Sequence, residues 1–410
     1  MGNIIKDGSG SYFPMLFILP LAGLAELASL YSIQALLPKL SEVYHIPLNQ
    51  VGMILSAEVG FLAFAMLFSG SLSDRFGRKP VIFASLFAGG VLTLLCARAP
   101  SWQVLVIFRA LLGIAVSGVT AAITVYISEE VSPGMAGIIT SYFIFGNSLG
   151  SMSGRVIATQ MMEHFSVEVI FSLFGCVLII IALAVKFLLP ASRNFKASSS
   201  LQLSVVFRGG LNHIRNIKVS LCFITGFILF GSFTSIFNFL AFNLHNAPYN
   251  LDYTWIGLIP LSFSLTFFIA PYAARQAIRY GSMNVLSFLI SFMMVGVFIT
   301  FIAESVWLFI SGVVLLSAAF FSSHSIILAW VSARTSSAKG QATSFYLLSY
   351  YSGGAVMGYV NGWLFAIQGW GGLAISCLVM LGIGLMITRV ISAKYEYQKA
   401  AEKNSLSEII

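Results

Sequence analysis

The chain is 410 residues long, 58% hydrophobic and only 9% charged, against a charged fraction of about 25% in ordinary soluble proteins. That balance excludes a water-soluble globular domain and describes an all-α polytopic membrane protein. The net charge of +8 sits between apolar runs, where it marks membrane orientation rather than affinity for nucleic acid.

A short polar lead, 1–13, precedes an apolar run at 14–37 that is too long for a signal-peptide core and has no convincing small-residue cleavage site. It is expected to be retained. Further runs long enough to span a bilayer as helix follow at 50–70, 80–97, 102–127, 136–161 and 167–190. Residues 191–217 then turn to Ser, Asn and basic side chains, including Ser198-Ser199-Ser200, and are the expected linker. A second set of runs lies at 218–246, 252–274, 283–303, 305–333, 339–366 and 371–394, ahead of a polar tail at 395–410. The expected architecture is twelve transmembrane helices in two six-helix halves, 1–190 and 218–394.

Lysine and arginine collect in cytoplasmic loops, and with both termini inside, only Lys39 and Arg98 fall on the outer face. Arg109, Arg155 and Lys186 lie within spans, and the rest of the 22 are on the inner side. Cys96, Cys176, Cys222 and Cys377 are scattered without metal or redox spacing and read as small core residues. A shift of 204 positions lays Arg75 on Arg279, Gly77 on Gly281, Tyr142 on Tyr346, Gly150 on Gly354 and Gly154 on Gly358, the mark of an internal repeat.

Between the second and third runs stands Gly70-Ser71-Leu72-Ser73-Asp74-Arg75-Phe76-Gly77-Arg78-Lys79. The charges can pair with one another and with helix ends, and Gly70 and Gly77 are expected to allow close backbone approach and a turn. This cluster resembles the conserved loop between the second and third helices of the major facilitator superfamily. The resemblance implies parallel six-helix halves, secondary transport, and a gating role for Gly70, Asp74, Arg75, Gly77, Arg78 and Lys79. In the repeat, Ala274 stands for Gly70 and Ile278 for Asp74, so a gating contact by Asp74 is expected on one side only.

Arg109-Ala110-Leu111-Leu112-Gly113, followed by Gly118, resembles the superfamily's Arg-x-x-x-Gly element, which is associated there with proton coupling. Gly146-Asn147-Ser148-Leu149-Gly150-Ser151-Met152-Ser153-Gly154-Arg155 occupies the place of the glycine-rich signature of proton-driven drug antiporters, without their usual proline. Together with Ser322-Ser323-His324-Ser325 and the stretch from Lys339-Gly340-Gln341-Ala342 to Ser349-Tyr350-Tyr351, it is similar to the YnfM-type branch of bacterial inner-membrane exporters.

Ionisable groups in hydrocarbon are costly and should face a partner or a wet cavity. Glu26 lies about 18 Å into the first span, near the midplane, while Glu58 and Arg109 enter theirs from outside by about 12 Å and about 10 Å. Glu58 and Arg109 can therefore pair. Glu26, Glu58 or both are candidates to carry protons, with Arg109 tuning them; a permanent structural pair, with Glu26 binding a polar or cationic substrate, stays open. Arg155, about 28 Å along the fifth span, is expected near the outer surface as a gate or snorkelling residue, ahead of substrate binding. His324 is expected to be a hydrogen-bonded packing residue ahead of a proton relay, and Lys186, Glu163 and His164 to be solvated. Gly146, Gly150 and Gly154 form a smooth stripe for close helix contact. Gln34, Asn147, Asn238, Asn243, Tyr350 and Tyr351 are candidates to line a central cavity, to which the 36 Phe and 15 Tyr can lend an apolar wall.

The function expected is proton-coupled efflux of small amphipathic or toxic compounds by alternating access; the alternative is a facilitator or importer of a polar metabolite such as a sugar, an organic acid or a siderophore. No metal cluster, phosphate-cradling loop or nucleophile with its base is recognisable, so neither an enzyme nor a cofactor is expected. The partners expected are a small-molecule substrate, protons and the lipid bilayer, for a monomer in the inner membrane with both termini cytoplasmic.

Overall fold

A computed structural model of the protein describes residues 12–195, 197, 216–334 and 339–407, and its elements are all helices. In chain order they are α1 (Tyr12–Val43), α2 (Leu48–Phe76), α3 (Arg78–Cys96), α4 (Trp102–Glu130), α5 (Pro133–Met162), α6 (Val167–Leu188), α7 (Ile217–His245), α8 (Tyr253–Tyr280), α9 (Ser282–Ile302) and α10 (Val306–Arg334). The last helical run, Lys339–Ser407, breaks at Gly369 (φ 61°, ψ −153°) into α11 and α12. Among the described residues, ten helical stretches are long and apolar enough to cross a membrane, one of them the broken pair. The remaining helix, α5, is more polar but 30 residues long, so twelve segments of crossing length result. The expected linker falls almost wholly outside the described residues, as does most of the lead.

The cluster from 70 to 79 is not a loop. α2 runs through Phe76 and α3 starts at Arg78, leaving Gly77 alone between them at φ 97°, ψ 154°. Only glycine adopts that conformation without strain. Its repeat mate Gly281 has φ 88°, ψ 137° between α8 and α9, so one backbone device makes both hairpins. Gly70 does not give the close approach expected of it: it lies within α2, and a Cβ there would meet nothing within 4 Å. Cys176 likewise departs from expectation, being exposed while the other three cysteines are buried.

The glycine stripe of α5 runs along α1. Cβ atoms at Gly146, Gly150 and Gly154 would overlap the backbone of Pro20, Leu24 and Ala28, so the two helices are parallel and in van der Waals contact. The same register recurs in α7 and α11, where Ser349 Oγ donates to the Phe223 carbonyl (2.8 Å) and Asn361 Nδ2 to Ser235 Oγ (2.8 Å). Those partners are 126 residues apart, the spacing of Gly150 from Leu24. α12 returns antiparallel, with Ser287 Oγ of α9 donating to Thr388 Oγ1 and Trp370 Nε1 to Thr300 Oγ1. Gly150→Leu should drive these helices apart at a cost of about 1–3 kcal/mol or more, read as a lowered melting temperature in detergent, whereas Gly70→Leu should leave it within error.

Candidate functional site

At the hairpin end of the first six helices, Arg78 is the hub. Its Nε and Nη2 donate to Glu129 Oε2 (3.0 Å) and Oε1 (2.7 Å), and Nη1 donates to Asp74 Oδ1 (2.5 Å) and Ser73 Oγ (3.1 Å). A forked guanidinium suits such a pair of carboxylates. Lys79 Nζ donates to the Leu189 carbonyl (2.5 Å), and the Asn194 backbone N–H to Glu130 Oε1 (2.8 Å), so α2, α3, α4 and the end of α6 are bound together. Asp74 thus pairs inside its own six helices. Arg75 has its guanidinium 5.5 Å from the Phe76 ring. Glu129 and Glu130 escaped sequence reasoning; their signal was two adjacent acids at a helix end, beside a basic cluster with too few acids of its own.

Glu58 on α2 and Arg109 on α4 form an ion pair, Nη2 to Oε2, with both side chains 0% exposed. The same Nη2 donates to the Leu30 carbonyl at 3.1 Å, so the pair also holds α1. Gly113 makes the approach possible, because a Cβ there would overlap the Glu58 carbonyl; Gly118 similarly seats α4 on Ser85 of α3. The expected pairing is present, sealed among α1, α2 and α4.

Glu26 stands apart from it. The side chain is 3% exposed and accepts one hydrogen bond, from Thr120 Oγ1 at 3.1 Å. No lysine or arginine pairs with it among the described residues. Tyr31 and Tyr351 lie within its electrostatic range. Asn147 packs against Gly23 on the same helix, its Oδ1 without a hydrogen-bond partner.

Arg155 does not snorkel. It is 3% exposed, with its side chain turned into the bundle among α1, α7 and α8. Nε donates to Gln34 Oε1 (2.7 Å), and Nη1 donates to Ser151 Oγ (2.9 Å) and to the Ser151 carbonyl. The guanidinium lies 4.1 Å from the Tyr31 ring centroid, 5.4 Å from Phe263 and 5.8 Å from Phe237. Gln34 passes the connection on, its Nε2 donating to Asn238 Oδ1 (2.6 Å) and to the Thr234 carbonyl (3.4 Å). Gln34 and Asn238 are 204 residues apart, the offset of the repeat, so mates of the repeat meet face to face on α1 and α7.

Behind Asn238 the wall is aromatic. Phe233 stacks on Phe320 (4.0 Å between centroids) and Phe230 on Tyr350 (4.1 Å), with Tyr351 edge-on to Phe230. His324 Nδ1 is 3.0 Å from Tyr346 Oη and the ring lies 4.4 Å from Tyr350, the hydrogen-bonded packing role expected of it.

Among the described residues, hydrogen bonds between the first and the last six helices lie away from the hairpins. Besides Gln34, Gln160 Nε2 donates to the Thr254 carbonyl (2.7 Å), and the Thr254 backbone N–H donates to Glu163 Oε1 (2.8 Å). Glu163 is therefore not simply solvated: the Thr254 hydrogen bond holds its carboxyl below the usual carboxylate range. Gly257 lies against Thr159, and Gly52 against the Gly358 carbonyl. Toward the hairpin end the α5–α8 contact reaches Phe145 and Phe267 (5.4 Å). One turn beyond, Tyr142 and Tyr272 are 50% and 64% exposed. The seam is tied at the far end and parts toward the hairpins.

Residues 20–270 match the Major Facilitator Superfamily model. The chain is 35% identical to the inner membrane transport protein YnfM of Escherichia coli (strain K12) over 385 residues, covering 94% of this chain and 92% of that one. It is 32% identical over 158 residues to the 4-hydroxybenzoate transporter PcaK of Acinetobacter baylyi (strain ATCC 33305 / BD413 / ADP1), covering 38% of this chain and 35% of that one. Among solved structures, the POT family transporter PepTSo superposes with a TM-score of 0.77 at 13% identity, over 94% of this chain and 98% of that chain, a likeness of fold.

Proposed function

Since the chain belongs to the Major Facilitator Superfamily, and is thus a multi-pass membrane transporter rather than an enzyme, we propose that it exports small amphipathic compounds in exchange for protons by alternating access. Two six-helix halves, 1–190 and 218–394, joined by 191–217, rock about the Gln34–Asn238 contact. The concentration of Lys and Arg near the hairpins supports a cytoplasmic position for that end. The described state then corresponds to a transporter shut toward the outside.

The observation that supports proton coupling is Glu26: a carboxyl group in mid-helix, buried, with one hydroxyl for a partner and no cation among the described residues. A carboxyl group that is dry in one state and wet in the other holds its proton more tightly in the first than in the second, so protonation and the change of state are coupled. The Glu58–Arg109 pair, by contrast, sets charge against charge, and its role is to lock α1, α2 and α4 into a body that moves as a unit.

The aromatic wall around Phe230, Phe233, Phe320 and Tyr350 supports an amphipathic substrate, since such a surface binds by area rather than by a fixed pattern of hydrogen bonds. Import of an organic acid is a second reading, favoured by the partial similarity to a transporter named for 4-hydroxybenzoate. Purified protein sealed into vesicles with an imposed pH gradient tests both. Export coupling requires substrate to leave the compartment that protons enter; movement of substrate together with protons would support import, and indifference to the gradient would refute coupling.

A further inference from the structure

Arg155 is a buried cation for which the described residues supply no anion. Among the described residues no carboxylate pairs with it, although it is 3% exposed and buried charges are normally paired. Its hydrogen bonds engage Nε and Nη1; Nη2 donates to nothing among the described residues. What surrounds it is aromatic: Tyr31 from α1, with Phe237 and Phe263 from α7 and α8, each within 6 Å of the guanidinium carbon. Ring faces offset part of the cost of burying a cation, but they do not take up a free N–H donor. Tyr350, on the aromatic wall, lies within its electrostatic range.

We infer that Arg155 is the anchor of a substrate subsite for an aromatic carboxylate, whose charged end meets the guanidinium and whose ring packs among Tyr31, Phe237 and Phe263. This rests on the transporter reading and gives it a substrate class. A carboxylate is the ligand that both neutralises a guanidinium and accepts from its free edge, and the rings leave little for a purely polar anion to gain. The subsite is built from both sets of six helices, so a bound anion contacts both. It also competes with Gln34 for the guanidinium, and Gln34 is the residue whose amide holds Asn238 across the seam. Occupancy of the subsite therefore acts on the contact that must give way when the far end opens.

The test is binding of radiolabelled benzoate to the purified full-length chain in detergent, with benzamide as the uncharged competitor of the same shape and acetate as the anion without a ring. Benzoate should bind, with benzamide and acetate each at least about tenfold weaker as competitors, the scale of a lost hydrogen bond to a charged group. Arg155→Gln should weaken benzoate at least about tenfold and bring it level with benzamide, while Arg155→Lys should retain part of the affinity. Benzamide competing as well as benzoate on the unaltered chain would overturn the subsite, and that comparison needs no variant to fold. Equal benzoate affinity in a folded Arg155→Gln variant would overturn it too. Binding in detergent needs neither a barrier nor a gradient. Lost proton coupling in vesicles with benzoate binding intact would therefore refute the coupling alone, and coupled transport of other compounds without benzoate binding would refute the subsite alone.

Discussion

Glu26→Gln is expected to abolish uphill transport while leaving exchange of substrate for substrate. One pH unit is worth about 1.4 kcal/mol per proton, so an imposed difference of about 2 units can sustain up to about 100-fold accumulation through a one-proton mechanism. The amide fills the same space and can still accept from Thr120 Oγ1, which in the native protein donates to Glu26 Oε2. It cannot release a proton to either side. Accumulation in vesicles under the gradient should thus fall to the level reached without one, a loss of about 100-fold, with counterflow of labelled substrate within a few-fold of the native rate. A variant that still accumulated substrate in proportion to the gradient would remove Glu26 from the mechanism.

Glu58→Gln is expected to damage the fold rather than the coupling. Both partners of this pair are 0% exposed, and removing one leaves the Arg109 guanidinium charged with no counter-ion, which costs about 3–5 kcal/mol. The melting temperature in detergent should drop sharply and the yield of folded protein with it. Replacing both members, Glu58→Leu with Arg109→Met, should recover most of the lost stability, because an apolar pair of similar volume avoids the desolvation of two charges. If the stable double variant keeps its response to a pH gradient, the pair is structural; if it folds well and loses that response, proton traffic runs through Glu58 as well as Glu26.

The helices, their number and their repeat were legible because apolar run length and the offset of 204 are properties of the chain alone. The offset went further than a count of spans. It sets Gly77 against Gly281, which share one backbone conformation, and the structure adds Gln34 and Asn238, 204 residues apart, in contact across the seam. Depth along a span was legible too, which is why Glu58 and Arg109 could be matched. The direction in which a side chain points around its helix was not. Depth alone puts Arg155 near the surface, yet its guanidinium is buried among rings of α1, α7 and α8, a direction that depth does not encode.

Gly70 failed for a related reason: its position in a family-like cluster suggested a tight turn, but the helix continues through it and a single glycine, at 77, makes the reversal. The role of Glu129 depends on α4 ending beside the start of α3, which no local pattern announces. The tie from Glu163 to the Thr254 backbone is likewise a product of tertiary placement, since it joins residues 91 apart.

The most direct test of alternating access is a pair of distances measured by double electron–electron resonance on spin-labelled protein in lipid nanodiscs. One pair of labels, at His164 and Glu304, reports the end where Gln160 and Glu163 meet Thr254; the other, at Ser128 and Ala274, reports the hairpin end. On a shift from neutral to acidic buffer the account predicts that the first distance shortens while the second lengthens, because protonation favours the state in which Glu26 is buried, and that Glu26→Gln, fixed in the neutral form, shows one distribution at both pH values. Distances that stay constant at both ends under conditions where vesicles transport, or that lengthen together, would contradict it.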